Sequence, residues 1–259
     1  MRSTFATRTV LAASAASLAL LATACSSGSS DSKDDTKAGA PAAASPSAAA
    51  AAAKGKTDAE LAGLIVAQAD LPDHIVKAPT PSEVTEAAAS TSDKPDCVPL
   101  VKAQSFAPVG KSTGAARTKA VAKPKAADAG AGPEDKAKAA LAALGSTATT
   151  VTIASYEGKG AEEAFAALKT AGTACAGGYG VTGGGETAKI SKVGAGAPVT
   201  AGDAALAYTV EAEADGTTIS TQLVVVRKGN TLATFSAMSL AGTAEQPKAV
   251  VDAQVKKLG

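Results

Sequence analysis

The sequence predicts an α+β fold: an antiparallel β-sheet packed by helices, in a single exported domain with one disulfide. Three observations carry this. The last third reads as β-rich runs joined by two-residue turns: AALAYTVEAEA, Asp215-Gly216, TTISTQLVVVRK, Gly229-Asn230, TLATFSAMSL. A type I′ turn needs positive φ at both central residues, which Asp-Gly and Gly-Asn accept. Helical patterns flank these runs without regular βαβ alternation. The chain also opens on an export signal, which places its cysteines where disulfides persist.

That signal comes first in chain order. MRSTFATR supplies Arg2 and Arg8 as a basic n-region. VLAASAASLALLA is an apolar h-region, short for a bilayer span. It ends in LLATAC, where Ala24 before Cys25 resembles the lipobox of bacterial lipoproteins. The resemblance implies cleavage before Cys25 and diacylation of its thiol. Ala22 departs from the pattern, since Leu is commoner there, and Ala22-Thr23-Ala24 also fits an ordinary secretory cleavage site. An uncleaved anchor is the third reading. The polar run directly after the cysteine favours lipidation, because an anchored domain needs a tether. Residues 1–24 are thus read as signal peptide, 25–56 as a Ser/Ala/Pro tether with little that can pack, and 57–259 as the folded domain.

The domain opens on TDAE, a capping box in which Thr57 and Glu60 satisfy each other's amides. Leu61, Leu64 and Ile65 then mark one face of a short helix, ended by Leu71-Pro72. HIVKAP and SEVTEA read as short extended pieces, and CVPLVKAQSF as a turn of helix. Residues 110–132 are Gly/Ala/Lys-rich and weakly periodic, which predicts a mobile surface segment. Pro133 opens PEDKAKAALAALG, with acids in the first turn and Gly145 as a stop. TTVTIASYE predicts a central strand, and GAEEAFAALKTAG a helix ended by Gly172, just before Cys175. After the C-terminal strands, Val251, Val255 and Leu258 stripe a last helix whose end carries Lys256-Lys257.

Composition limits the function classes. There is no Trp, and the 46% hydrophobic content is largely Ala, so the core is a modest one. Net charge is +1, and removal of Arg2 and Arg8 with the signal takes it to −1, so no global field points to nucleic acid. With Cys25 lipidated, Cys97 and Cys175 are the one remaining pair. Their long loop implies about 4–5 kcal/mol in the chain-entropy account. His74 is the single histidine, so a multi-histidine zinc site is excluded; no metal and no cofactor is expected.

Three motifs look chemical. GYGVTG (178–183) satisfies G-x-G-x-x-G but follows a helix and precedes a strand, the inverse of a dinucleotide loop, and reads as a flexible linker. SFAPVGKST (105–113) has Ser105 where a P-loop requires Gly. GKSTG places Ser112 in a G-x-S-x-G pattern, yet His74 lies upstream of it rather than downstream.

The order of Leu71-Pro72-Asp73, DCVPL, TIASYEGKGAEEAFAALKTAGTACAGGY, GDAALAYTV, VVVRKGNTLATF and a final helix resembles the PknH-like extracellular sensor domains, including actinobacterial lipoproteins that carry one. The resemblance implies an antiparallel sheet packed by helices, a cleft for an unknown ligand, and disulfide positions at Cys97 and Cys175. A second disulfide and a Trp common in such domains are missing here. The sequence thus predicts a lipid-anchored binding or sensing module without catalytic activity on the extracytoplasmic face of the membrane. Its partners would be the membrane, through the lipid, and a small envelope ligand or partner protein. The alternatives are a LolA-like lipid carrier and an envelope hydrolase built on Ser112.

Overall fold

A computed structural model describes residues 54–124, 130–214, 216–239 and 243–259. Residues 1–24, expected to be a signal peptide, Cys25, and nearly all of the segment expected to be a tether lie outside the described residues. The chain is already attached at Lys54 and Lys56: the Lys54 carbonyl accepts from Asn230 and the Lys56 amide donates to the Ser155 hydroxyl.

The elements in chain order are α1 (Asp58–Ala62), a 3-10 turn (Gln68–Asp70), β1 (His74–Lys77), α2 (Pro81–Ala89), β2 (Thr91–Ser92), a second 3-10 turn (Pro95–Cys97) and α3 (Val98–Gln104). There follow β3 (Gly114–Ala122), α4 (Pro133–Leu144), β4 (Ala148–Ser155), α5 (Gly160–Ala174), β5 (Tyr179–Gly183) and β6 (Glu186–Ala195). The chain closes with β7 (Ala204–Ala214), β8 (Thr217–Lys228), β9 (Thr231–Met238) and α6 (Lys248–Leu258). The α+β expectation holds: one antiparallel nine-stranded sheet runs β1-β3-β4-β9-β8-β7-β6-β5-β2.

The predicted hairpins form as read. Ala214 pairs Thr217 across Asp215-Gly216, and Lys228 pairs Thr231 across Gly229-Asn230. β4 is central, buried on both faces from Val151 to Ser155, as its β-branched run suggested. Alternate residues face two separate cores. Ala154, Leu223, Val225 and Leu232 meet α3 and α5 on one face. Val151, Ile153, Val224, Ala233 and Phe235 meet Leu61 of α1 and Val250 and Val251 of α6 on the other.

The sheet cannot be flat. Its edge strands β1 and β2 are joined only by residues 78–90, nine of them helical. Fully stretched, that link spans about 33 Å, whereas eight flat interstrand steps need about 38 Å. The sheet therefore curls towards α2, and α3 touches both the edge strand β2 and the central strands β8 and β9.

Four expectations are corrected. SEVTEA is the helix α2, started by a capping box in which the Thr80 hydroxyl accepts from the Glu83 amide and the Glu83 carboxylate accepts from the Thr80 amide, with Pro81 at the first turn. Residues 114–122 are a sheet strand, not a mobile segment. Its alanines are small enough to pack on both faces, which hides the alternation that larger residues would show. Gly172 lies inside α5 rather than at its end, because a Cβ there would meet the Tyr208 hydroxyl at 2.3 Å. The absent side chain lets the helix settle onto β7. The glycine run after Cys175 is the strand β5, turned into β6 by Gly184 and Gly185, both at positive φ.

Candidate functional site

Between α2, the loop after α3 and the β5–β6 hairpin lies a cleft of about 510 Å³. Its floor is apolar: Ala87, Phe106, Val181 and Ala188. Its rim carries Glu83 and Glu86 from α2 and Glu186 from β6.

Each wall is held in place. Lys102 of α3 donates to the carbonyls of Ala88 (2.7 Å) and Ser90 (2.6 Å), satisfying the end of α2. Burial pulls its ammonium below the usual lysine range. The Ser90 hydroxyl abuts Gly183, where a Cβ would approach it to 2.6 Å, so the hairpin reaches α2 only because residue 183 has no side chain. The hairpin is also latched to the segment after β2: Asp93 accepts from the Gly180 amide at 2.7 Å and Lys94 donates to the Gly178 carbonyl at 2.6 Å. Phe106 is fixed from beneath, its carbonyl accepting from Nε of Arg117 on β3. Burial lowers the Arg117 pKa, opposed in part by the Asp58 carboxylate.

The three rim carboxylates are not equivalent. Glu83 accepts from Lys119 at 2.7 and 2.9 Å and from both the amide and hydroxyl of Thr80. The Lys119 bond, and then those of Thr80, hold its pKa down to about 2. Glu86 accepts only from Ser82, and Glu186 has no ion pair among the described residues. The free negative charge of the cleft therefore faces inward from α2 and across from β6.

The sequence-predicted residues fall as follows. Cys97 and Cys175 form a disulfide, Cα–Cα 5.8 Å, joining the start of α3 to the end of α5. It anchors the helix layer against which the cleft is built. Ser112 sits just before β3, beside a shallow cleft with Lys159, Glu157 and Glu163. His74 pairs Ala122 at the other end of that strand, about 26 Å away along it. The histidine therefore cannot serve Ser112 as a base. The GYGVTG segment is a hairpin arm with no helix after it, so it presents no amide cradle to a phosphate. The sequence does not show the cleft, because SEVTEA reads as extended; the Thr80–Glu83 capping pattern is the local signal for α2, one of its walls.

No protein-family model matches the chain, and no curated protein matches it. Among solved structures, the chain is similar to the crystal structure of the extracellular domain of PknH from Mycobacterium tuberculosis, with a TM-score of 0.43 and 15% identity. That match covers 79% of this chain and 97% of the other. No helix among the described residues is long and apolar enough to cross a membrane.

Proposed function

We propose that this chain is a lipid-anchored, extracytoplasmic binding or sensing lipoprotein without catalytic activity, and that its ligand enters the cleft between α2 and the β5–β6 hairpin. The carrying observation is the construction of that cleft: an apolar floor with two carboxylates that have no ion pair among the described residues, its walls pinned by side chains from α3 and β2–α3. A concave apolar surface with few polar groups is the usual form of a small-molecule site. Because Lys119 neutralises Glu83 while Glu86 and Glu186 have no cation partner among the described residues, the cleft favours a neutral or cationic ligand over an anion. A filled core on each face of the sheet supports binding at this surface cleft over a lipid carrier, which needs an apolar cavity beneath the sheet.

Thermal unfolding in the presence of envelope metabolites, glycans and lipids tests the binding. A ligand at a hundred times its dissociation constant adds about 2.7 kcal/mol. Ala188→Trp, which fills the cleft from an exposed position, should abolish that gain. A gain that survives Ala188→Trp, or no gain with any compound, would overturn the cleft. The anchor is tested separately: Cys25→Ser should remove all metabolic labelling by fatty acid and release the protein or leave it unprocessed.

A further inference from the structure

A second cleft, of about 330 Å³, lies on the opposite face of the sheet, where α6 begins. Ala122, Thr147 and Thr149 line it from β3 and the start of β4, His74 from β1, and Lys248, Ala249 and Val250 from the first turn of α6. Three features show hydrogen-bonding capacity that the protein alone does not use.

The first is the helix end. Pro247 stands at the N-cap, gives no side-chain cap, and is followed by a first turn with no acidic residue. The Lys248 amide donates to Gln246 and the Val251 amide to Pro247, which leaves the amides of Ala249 and Val250 without a backbone partner. Val250 is buried. A helix N-terminus left open in this way carries partial positive charge and is normally closed by an acceptor. The second is Thr149, 2% exposed, whose hydroxyl has no hydrogen-bond partner among the described residues. The third is His74, whose Nδ1 is buried and unpartnered, so no hydrogen bond fixes the rotation of its ring. Buried polar atoms such as His74 Nδ1 are seldom left unpaired, and with the open amides and the Thr149 hydroxyl lining the same cleft it marks a place for a group supplied from outside.

We infer that this cleft binds a small molecule through an oxyanion group, a carboxylate or phosphate, seated on the free amides of α6. The Thr149 hydroxyl and the Lys248 ammonium are the further donors. The volume admits a molecule of about ten water volumes, enough for a short dicarboxylate or a phosphate monoester but not a polymer. Glu245, exposed on the rim, opposes the anion and weakens its binding. The charge preference is the reverse of that of the α2 cleft, so the two sites take different ligands.

The test titrates inorganic phosphate, and separately succinate, into the ¹⁵N-labelled full-length protein. Saturable shifts of the Ala249 and Val250 amides are expected with at least one of them, and the one that binds identifies the class. Thr149→Val should weaken that binding about tenfold, the effect of one hydrogen bond to a charged acceptor. Glu245→Gln should strengthen it, and Lys248→Gln should weaken it. The two surface variants keep the test decisive if Thr149→Val does not fold. Absence of saturable shifts with either anion overturns the site. So does binding that Glu245→Gln and Lys248→Gln leave unchanged.

Discussion

The two faces of the sheet are covered by helices fastened in opposite ways. On one face, α3 and α5 are joined covalently by Cys97–Cys175. On the other, the N-terminal segment after α1 and the C-terminal helix α6 meet without a covalent link. There Gln254, fully buried, accepts from the Val66 amide at 3.0 Å and donates to the Leu64 carbonyl at 2.8 Å. Lys257 adds a pair with Asp70 at 2.7 Å. One face is fixed by limiting the unfolded chain, the other by satisfying polar groups in the folded one. The sequence announces the first device, since cysteines are few. It hides the second, because nothing local distinguishes Gln254 from a surface glutamine.

The largest effect should come from the covalent face. A separation of 78 residues gives about 4.5 kcal/mol in the chain-entropy account, a large share of a typical domain's stability. Cys97→Ala with Cys175→Ala should lower the denaturant midpoint accordingly; a loss below about 1 kcal/mol would show that the helix packing alone fixes this face. Next comes the other face. Gln254→Leu keeps the volume but strands the buried Val66 amide and the part-buried Leu64 carbonyl, a cost of about 2–3 kcal/mol. Equilibrium unfolding measures it. A neutral result would mean that the Leu64–Val66 segment finds other partners, and the contrast between the faces would fail.

A finer test is Gly172→Ala in α5. The substitution gains about 1 kcal/mol of helix propensity. It also pushes the Tyr208 ring of β7 away from α5 and breaks the bond from its hydroxyl to the Leu168 carbonyl, at an overpacking cost of about 1–3 kcal/mol. The net loss should be about 1 kcal/mol and should become a gain when Tyr208→Ala is made first, as a double-mutant cycle would show.

These particulars also mark what was legible. The hairpins at Asp215-Gly216 and Gly229-Asn230, the TDAE cap and the cysteine pair each depend on a few adjacent or rare residues, and sequence carries such signals well. β3 was lost because Ala packs on either face of a sheet and so erases alternation. Gly172 misled because its reason is a tyrosine on a distant strand. The α2 cleft joins α2, the loop after α3 and the β5–β6 hairpin, and the curl that brings them together depends on the whole strand order. The open N-terminus of α6 was half visible in Pro247, but its cleft needs His74 and Thr149, far away in the chain.

The smallest effect belongs to the contact that ties α2 to the sheet, Glu83 of α2 with Lys119 of β3. Its carboxyl titrates near 2 in the folded protein against a reference of 4.5. A carboxylate with a depressed folded pKa stabilises above its unfolded pKa and loses that contribution as pH falls through the folded one. Wild type should therefore exceed Glu83→Gln in stability at pH 6, with the difference shrinking between pH 4.5 and 2 and vanishing below that window. Both groups are about a third exposed, so salt should shrink the difference too. Lys119→Met removes the first cause of the shift but leaves Thr80 in place, and so should narrow the pH window without closing it. If Lys119→Met closes it fully, Thr80 contributes nothing to holding the carboxylate. The contact would then be a surface ion pair and no longer part of the cap that starts α2 and sets one wall of the cleft.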